Sequence, residues 1–298
     1  MLDFLSSEIG IRLVSFVGIL GVMSLWEVFA PRRSPLGKKT LRWSSNFCLV
    51  FINSILMRLI APLGAVGVAQ FAESRGWGLL NQLTLPSVIS TVLAFVVLDF
   101  AIYLQHRMFH AIPILWRSHM VHHADLDCDV STGLRFHTFE IVISFVIKSS
   151  VVILLGASPL AVVIFEVVLN GTAMFNHSNI RIPRPLDKLL RLILVTPDMH
   201  RVHHSVDCAE TNSNFGFNLP WWDFLFRTYR GQPVQGHEGM HIGLPQFRDA
   251  SVQQLGMMLT MPFVTKSVAT TEDSQKIDSE QIQPNAVTQV RRTIADNF

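Results

Sequence analysis

The chain is short of charge. Asp, Glu, Lys and Arg make up 15% of its 298 residues and hydrophobic residues 49%, whereas soluble domains carry about 25% charged residues. A deficit of that size argues against an ordinary soluble surface and for a membrane protein. The net charge is only +2, and no basic stripe with interleaved aromatics occurs, so nucleic acid is not an expected partner. Cysteine is scarce as well. Cys48, Cys128 and Cys208 stand alone with no CxxC pair, which signals neither a disulfide framework nor a thiolate or iron–sulfur site. No HPGG haem signature or GxSxG nucleophile elbow occurs.

What the chain does have is long apolar runs. Residues 9–30 form one such run, enough for a helix to cross the roughly 30 Å hydrocarbon layer, which takes about 20 residues. A cleaved signal peptide is disfavoured, since the run is too long for an h-region and no small-residue cleavage site follows. The next segment, PRRSPLGKKTLRW, carries Arg32, Arg33, Lys38, Lys39 and Arg42. Basic short loops favour the cytoplasmic side, so the N-terminus is expected outside. A second span is predicted at about 45–70, with Arg58 reaching for an interface or for protein, and a third at about 87–105. Residues 139–175 form an apolar stretch broken by GASP at 156–159, predicting two antiparallel helices, either spanning or re-entrant. Lys148 and Glu166 lie at matching depth on that hairpin, which predicts an ion pair.

It is also rich in histidine, with twelve in all. HRMFH holds His106 and His110, HMVHH holds His119, His122 and His123, and HRVHH holds His200, His203 and His204. Residues three and four apart share a helix face, so each cluster can aim two or three ring nitrogens at one point. The predicted spans bring all three clusters, with His177, to the cytoplasmic face. Eight imidazoles are too many for one tetrahedral zinc and enough for two metals with open positions. Imidazole suits zinc, copper, iron and nickel alike.

DFAIYLQHRMFH, HMVHHADLD, RFHTFE, FNHSNI and HRVHH, followed by NFGFNLPWWDFLFRTY, resemble the sterol desaturase and fatty acid hydroxylase superfamily of membrane di-iron oxygenases. The resemblance covers about residues 85–250. It implies an all-α integral membrane protein of about four to five membrane helices, some of them re-entrant, under a cytosolic histidine-rich cap. It implies N-terminal membrane helices at 1–85, a catalytic domain at 86–250 and a polar, partly disordered tail at 251–298. The implied metal ligands are His106, His110, His119, His122, His123, His200, His203 and His204, with His177 as a ninth. Arg181 stands where some members have a further histidine. Thr138 follows His137 where the family has proline, so His137 is expected to support the site or the fold.

The chemistry implied is hydroxylation or desaturation of an unactivated C–H bond of a membrane lipid, with O2 as co-substrate and two iron ions, for which zinc can substitute. Electrons would come from a separate ferredoxin or cytochrome b5 type donor with its reductase. The alternatives are a metal-dependent membrane hydrolase and a non-enzymatic metal or haem membrane protein. A ligating imidazole needs a partner for its second nitrogen. Asp99, Asp125 and Asp198 are the foremost candidates, with Asp127 and Asp129 beside the second cluster. Arg135 and Glu140 are expected to brace the mouth of the site, and Trp221, Trp222 and Tyr229 to anchor at the membrane interface or line the pocket. His237 and His241 are expected at the surface.

Overall fold

The structure, a computed structural model, describes residues 7–264. The greater part of the tail expected at 251–298, residues 265–298, lies outside them. Among the described residues there are helices and turns but no strand. Five segments, 8–29, 39–82, 87–111, 138–155 and 159–177, are long and apolar enough to cross a membrane. The protein is an all-α, multi-pass membrane protein.

Helix α1, Glu8–Phe29, starts at Ser7, whose hydroxyl accepts the Gly10 N–H at 3.1 Å. The expected second span at 45–70 is in fact two helices, α2 at Lys39–Ile60 and α3 at Gly64–Ser74. Pro62 has no N–H to continue the ladder and Gly64 takes φ +58°, so the chain turns there. Arg58 turns to the Pro62 carbonyl at 3.1 Å. Helix α4, Ser87–Ala111, outruns its expected end at 105 and carries His106 and His110 within its own ladder. Ile112 is extended before Pro113, and α5, Pro113–His123, begins on that proline.

The GASP turn behaves as its residues dictate. Gly156 closes α6, Thr138–Leu155, at φ +72°. Ser158 then accepts the Ala161 N–H at 3.2 Å and Pro159 opens α7, Pro159–His177. The predicted pair of Lys148 and Glu166 is formed, and Arg12 of α1 joins Glu166 from the other side at 2.6 Å. An apolar core of Ala69, Leu98, Ile102, Val152, Val162 and Phe165 binds α3, α4, α6 and α7.

Short helices build the cap: α8 Arg184–Leu190, α9 Pro197–His203, α10 Cys208–Thr211, α11 Trp221–Leu225, α12 Gly236–Gly239 and α13 Leu255–Thr260. Residues 251–264, at the head of the segment read as a polar tail, fold back. Val252, Met258 and Met261 pack with Met120 and Val121 of α5. The basic linker between α1 and α2 lies beside the end of α7, where Arg32 N–H donates to Asn179 O at 2.9 Å and Arg181 N–H to Ala30 O at 2.8 Å.

Candidate metal centre

Four helix ends meet in the cap. The last turns of α4 and α7, together with α5 and α9, bring nine histidines into two adjoining groups. His106, His110, His119, His123 and His203 form one; His122, His177, His200 and His204 form the other; within each, the ring nitrogens lie within 4.8 Å of one another. The groups touch, since the rings of His123 and His204 stack at 4.6 Å. His110 is half-buried and the other eight are buried.

The ring orientations carry chemical information. Nδ1 donates to the carbonyl of Phe215 from His106 (2.9 Å), of Arg135 from His122 (3.2 Å), of Ala173 from His177 (2.6 Å) and of Ser213 from His203 (2.7 Å). A carbonyl oxygen only accepts, so in each ring Nδ1 holds the proton and Nε2 presents a bare lone pair. Yet Nε2 of His203 faces Nε2 of His106 at 3.0 Å, and Nε2 of His177 faces Nε2 of His122 at 3.0 Å. Two lone pairs at that distance repel unless a cation is shared between them. The donor set therefore fits bound metal.

Electrostatics agree. Burial, reinforced by neighbouring imidazoles, pushes His122, His123, His200 and His204 well below the usual histidine range. Burial likewise lowers His203 to about 3. These rings stay neutral at physiological pH, which is the form that ligates a metal.

A profile of the fatty acid hydroxylase family matches residues 91–228, the stretch that contains all nine histidines. Over those residues, a little under half of its length, the chain is similar to the fatty acid hydroxylase family. An ornithine lipid hydroxylase of Rhizobium tropici is 35% identical over 150 residues, half of this chain and 44% of the relative. The human alkylglycerol monooxygenase is 30% identical over 165 residues, 54% of this chain and 35% of the relative, and that of Danio rerio is 32% identical over 155 residues. The chain thus spans less than half the length of these relatives. No solved structure matches.

Within the fatty acid hydroxylase region the expected carboxylates sit elsewhere than expected. Asp99 is buried, but it accepts the Asn218 and Leu219 N–H groups at 3.2 and 3.3 Å and the Trp222 indole at 2.8 Å, rather than a histidine. Asp125 holds Arg42 and the Thr132 hydroxyl. Asp198 holds Arg32 and Arg201, whose charges keep it below the usual carboxylate range against the cost of its burial. His137 caps α6, accepting the Phe139 N–H at 3.1 Å, and stands outside both groups. His237 is buried near Asp198, contrary to the surface position expected, because the 236–240 turn folds under the α1–α2 linker; His241 is exposed as expected.

Two residues have a larger part than their sequence positions suggested. Glu140, in the first turn of α6, places Oε1 2.7 Å from His119 Nδ1. The available signal was a carboxylate at the head of an apolar span, where an ionised group needs a partner. Asp223 accepts the Phe215 and Gly216 N–H groups at 2.8 and 2.7 Å. It thereby fixes the loop whose carbonyls orient His106 and His203. Arg135 acts twice: its carbonyl takes His122, and its guanidinium ties Val121 O to Val252 O at 2.7 and 2.6 Å.

Proposed function

We propose that this protein is an O2-dependent, non-haem di-iron enzyme that hydroxylates, or by a second hydrogen removal desaturates, a C–H bond of a membrane lipid. The observation that carries this reading is the pair of opposed Nε2 lone pairs, His106 against His203 and His122 against His177. The five-histidine group would hold one iron and the four-histidine group the other. Bound there, the two ions would supply O2-dependent oxidation of an unactivated C–H bond. The protein's own part is to fix ring tautomers through carbonyls and Glu140, to exclude water by burial, and to leave His110 as the accessible edge. The family match and the similarity to a lipid hydroxylase and a monooxygenase support the same reading.

The finer expectations belong to this proposal. The ligands are His106, His110, His119, His122, His123, His177, His200, His203 and His204. Residues 1–85 supply membrane helices and 86–250 the catalytic unit. The site faces the cytoplasm, a reading supported by the basic linker lying beside the end of α7, at the same end of the bundle as the histidines. Electrons come from a separate ferredoxin or cytochrome b5 type donor.

The test is metal analysis of anaerobically purified protein, with lipid profiling of cells that do or do not express it. Two irons per chain and one lipid class gaining an oxygen atom, or losing two hydrogens, are expected. An unchanged lipid profile with metal and reductant supplied would count decisively against the proposal.

A further inference from the structure

Outside the five spans, residues 184–193 and 221–226 hold large apolar side chains in the open. Leu189 is 63% exposed, Ile193 61% and Leu225 67%. The two stretches form one surface, because the Trp221 indole donates to Leu192 O at 2.7 Å. That surface continues onto the flank of a span: the ring of Phe100 on α4 lies 4.7 Å from Trp222 and 5.8 Å from Phe226. Phe100 sits eleven residues before the end of α4, about 16 Å along the axis, so the surface reaches well down the apolar side of the helix.

The charges on these stretches are sorted by sign. Asp187 is buried in a 2.8 Å pair with Arg191, and Asp223 is buried on backbone N–H groups. Arg184, Lys188 and Arg227 point outward. The outer face is therefore apolar with a basic rim and no outward acid.

We propose that residues 184–193 and 221–226 form a shelf immersed in the headgroup–acyl boundary of the bilayer, a membrane contact additional to the five spans. Apolar side chains enter the acyl layer, and Arg184, Lys188 and Arg227 reach anionic headgroups, as in interfacial helices. Its occupant is the bilayer, because the surface is continuous with a span flank and its rim carries the sign that anionic lipid attracts. The shelf lies against the helix that carries His106 and His110. The proposal rests on the membrane reading of the spans and not on the oxidation chemistry, so either can fail alone.

The experiment places single cysteines at Leu189, Ile193 and Leu225 in a Cys48→Ser/Cys208→Ser background, which removes the two exposed thiols. A nitroxide is attached to each in nanodiscs of phosphatidylcholine and phosphatidylglycerol. All three labels are expected to relax more readily with O2 than with a water-soluble nickel chelate, and a control label at exposed Asn212 the reverse. Greater access to nickel at the three sites overturns the proposal. Protection from both quenchers, with broadening between labels, also overturns it by showing a second copy there. Should the cysteine variants fail to assemble, the unmodified protein is photolabelled in the same nanodiscs with a diazirine lipid. Adducts within 184–193 and 221–226 are expected, and adducts confined to the five spans refute the shelf.

Discussion

Glu140 and His119 meet across the junction of α6 and α5, with Oε1 2.7 Å from Nδ1. A carboxylate on the far nitrogen orients an imidazole and raises its basicity toward metal. Glu140→Gln keeps an acceptor but removes the charge. It is expected to lower metal affinity by roughly 10–100-fold, with helicity unchanged. Iron retained after dialysis against a chelator reads this directly, and full retention would show that Glu140 is dispensable.

Asp223 is expected to act on the centre without touching it. Asp223→Asn leaves one acceptor for two backbone N–H groups and the Thr228 hydroxyl, at a cost of about 1–3 kcal/mol. The loop carbonyls at 213 and 215 then lose their hold on His203 and His106. Metal loss confined to the five-histidine group, leaving about half the iron and an altered ferric spectrum, is the expected outcome. A variant with full iron content and an unchanged spectrum would place Asp223 in folding alone.

Acid should release the metal and unfold the cap. Burial lowers His122, His123, His200, His203 and His204 in the folded protein below the usual histidine range near 6.5. The unfolded chain thus binds more protons below about pH 6.5, and stability falls as pH drops from there toward 3. Asp223, raised to about 6 by burial, works in the opposite sense, losing stability as pH rises through 6. It is one group against five, and the histidines dominate. Thermal midpoints measured from pH 8 to pH 4 should decline steadily, and a flat profile would contradict the buried, neutral rings.

Removing the two ends of the hairpin ion pair should not be equivalent. Glu166 is held by both Lys148 and Arg12. Lys148→Met leaves Glu166 its arginine partner, whereas Glu166→Gln strands Lys148 among apolar helices and leaves Arg12 only its pair with Glu8. The second variant is expected to lose up to about 3 kcal/mol, and the first clearly less. Thermal inactivation in detergent compares them; equal losses would mean that Arg12 contributes nothing.

Much of the architecture was legible from local sequence. Apolar run lengths, the GASP turn and the spacing of HxxxH and HxxHH are short-range properties, and helical geometry converts them directly into spans, a hairpin and clustered rings. The Lys148–Glu166 pair was legible for the same reason, since both residues are counted from one turn. The break at Pro62 and Gly64 was readable too, but the continuing apolar run concealed it.

The partners of the rings were decided by tertiary packing. Asp99 shares a helix with His106 and looked like its brace, yet it holds the 218–222 loop; Glu140, on another helix, meets His119. A helix period says which residues share a face and nothing about what packs opposite. The carbonyls that set the tautomers of His106, His122, His177 and His203 belong to Phe215, Arg135, Ala173 and Ser213. Every residue offers the same carbonyl, so no side-chain pattern can mark the ones that matter. Only the folded chain selects them.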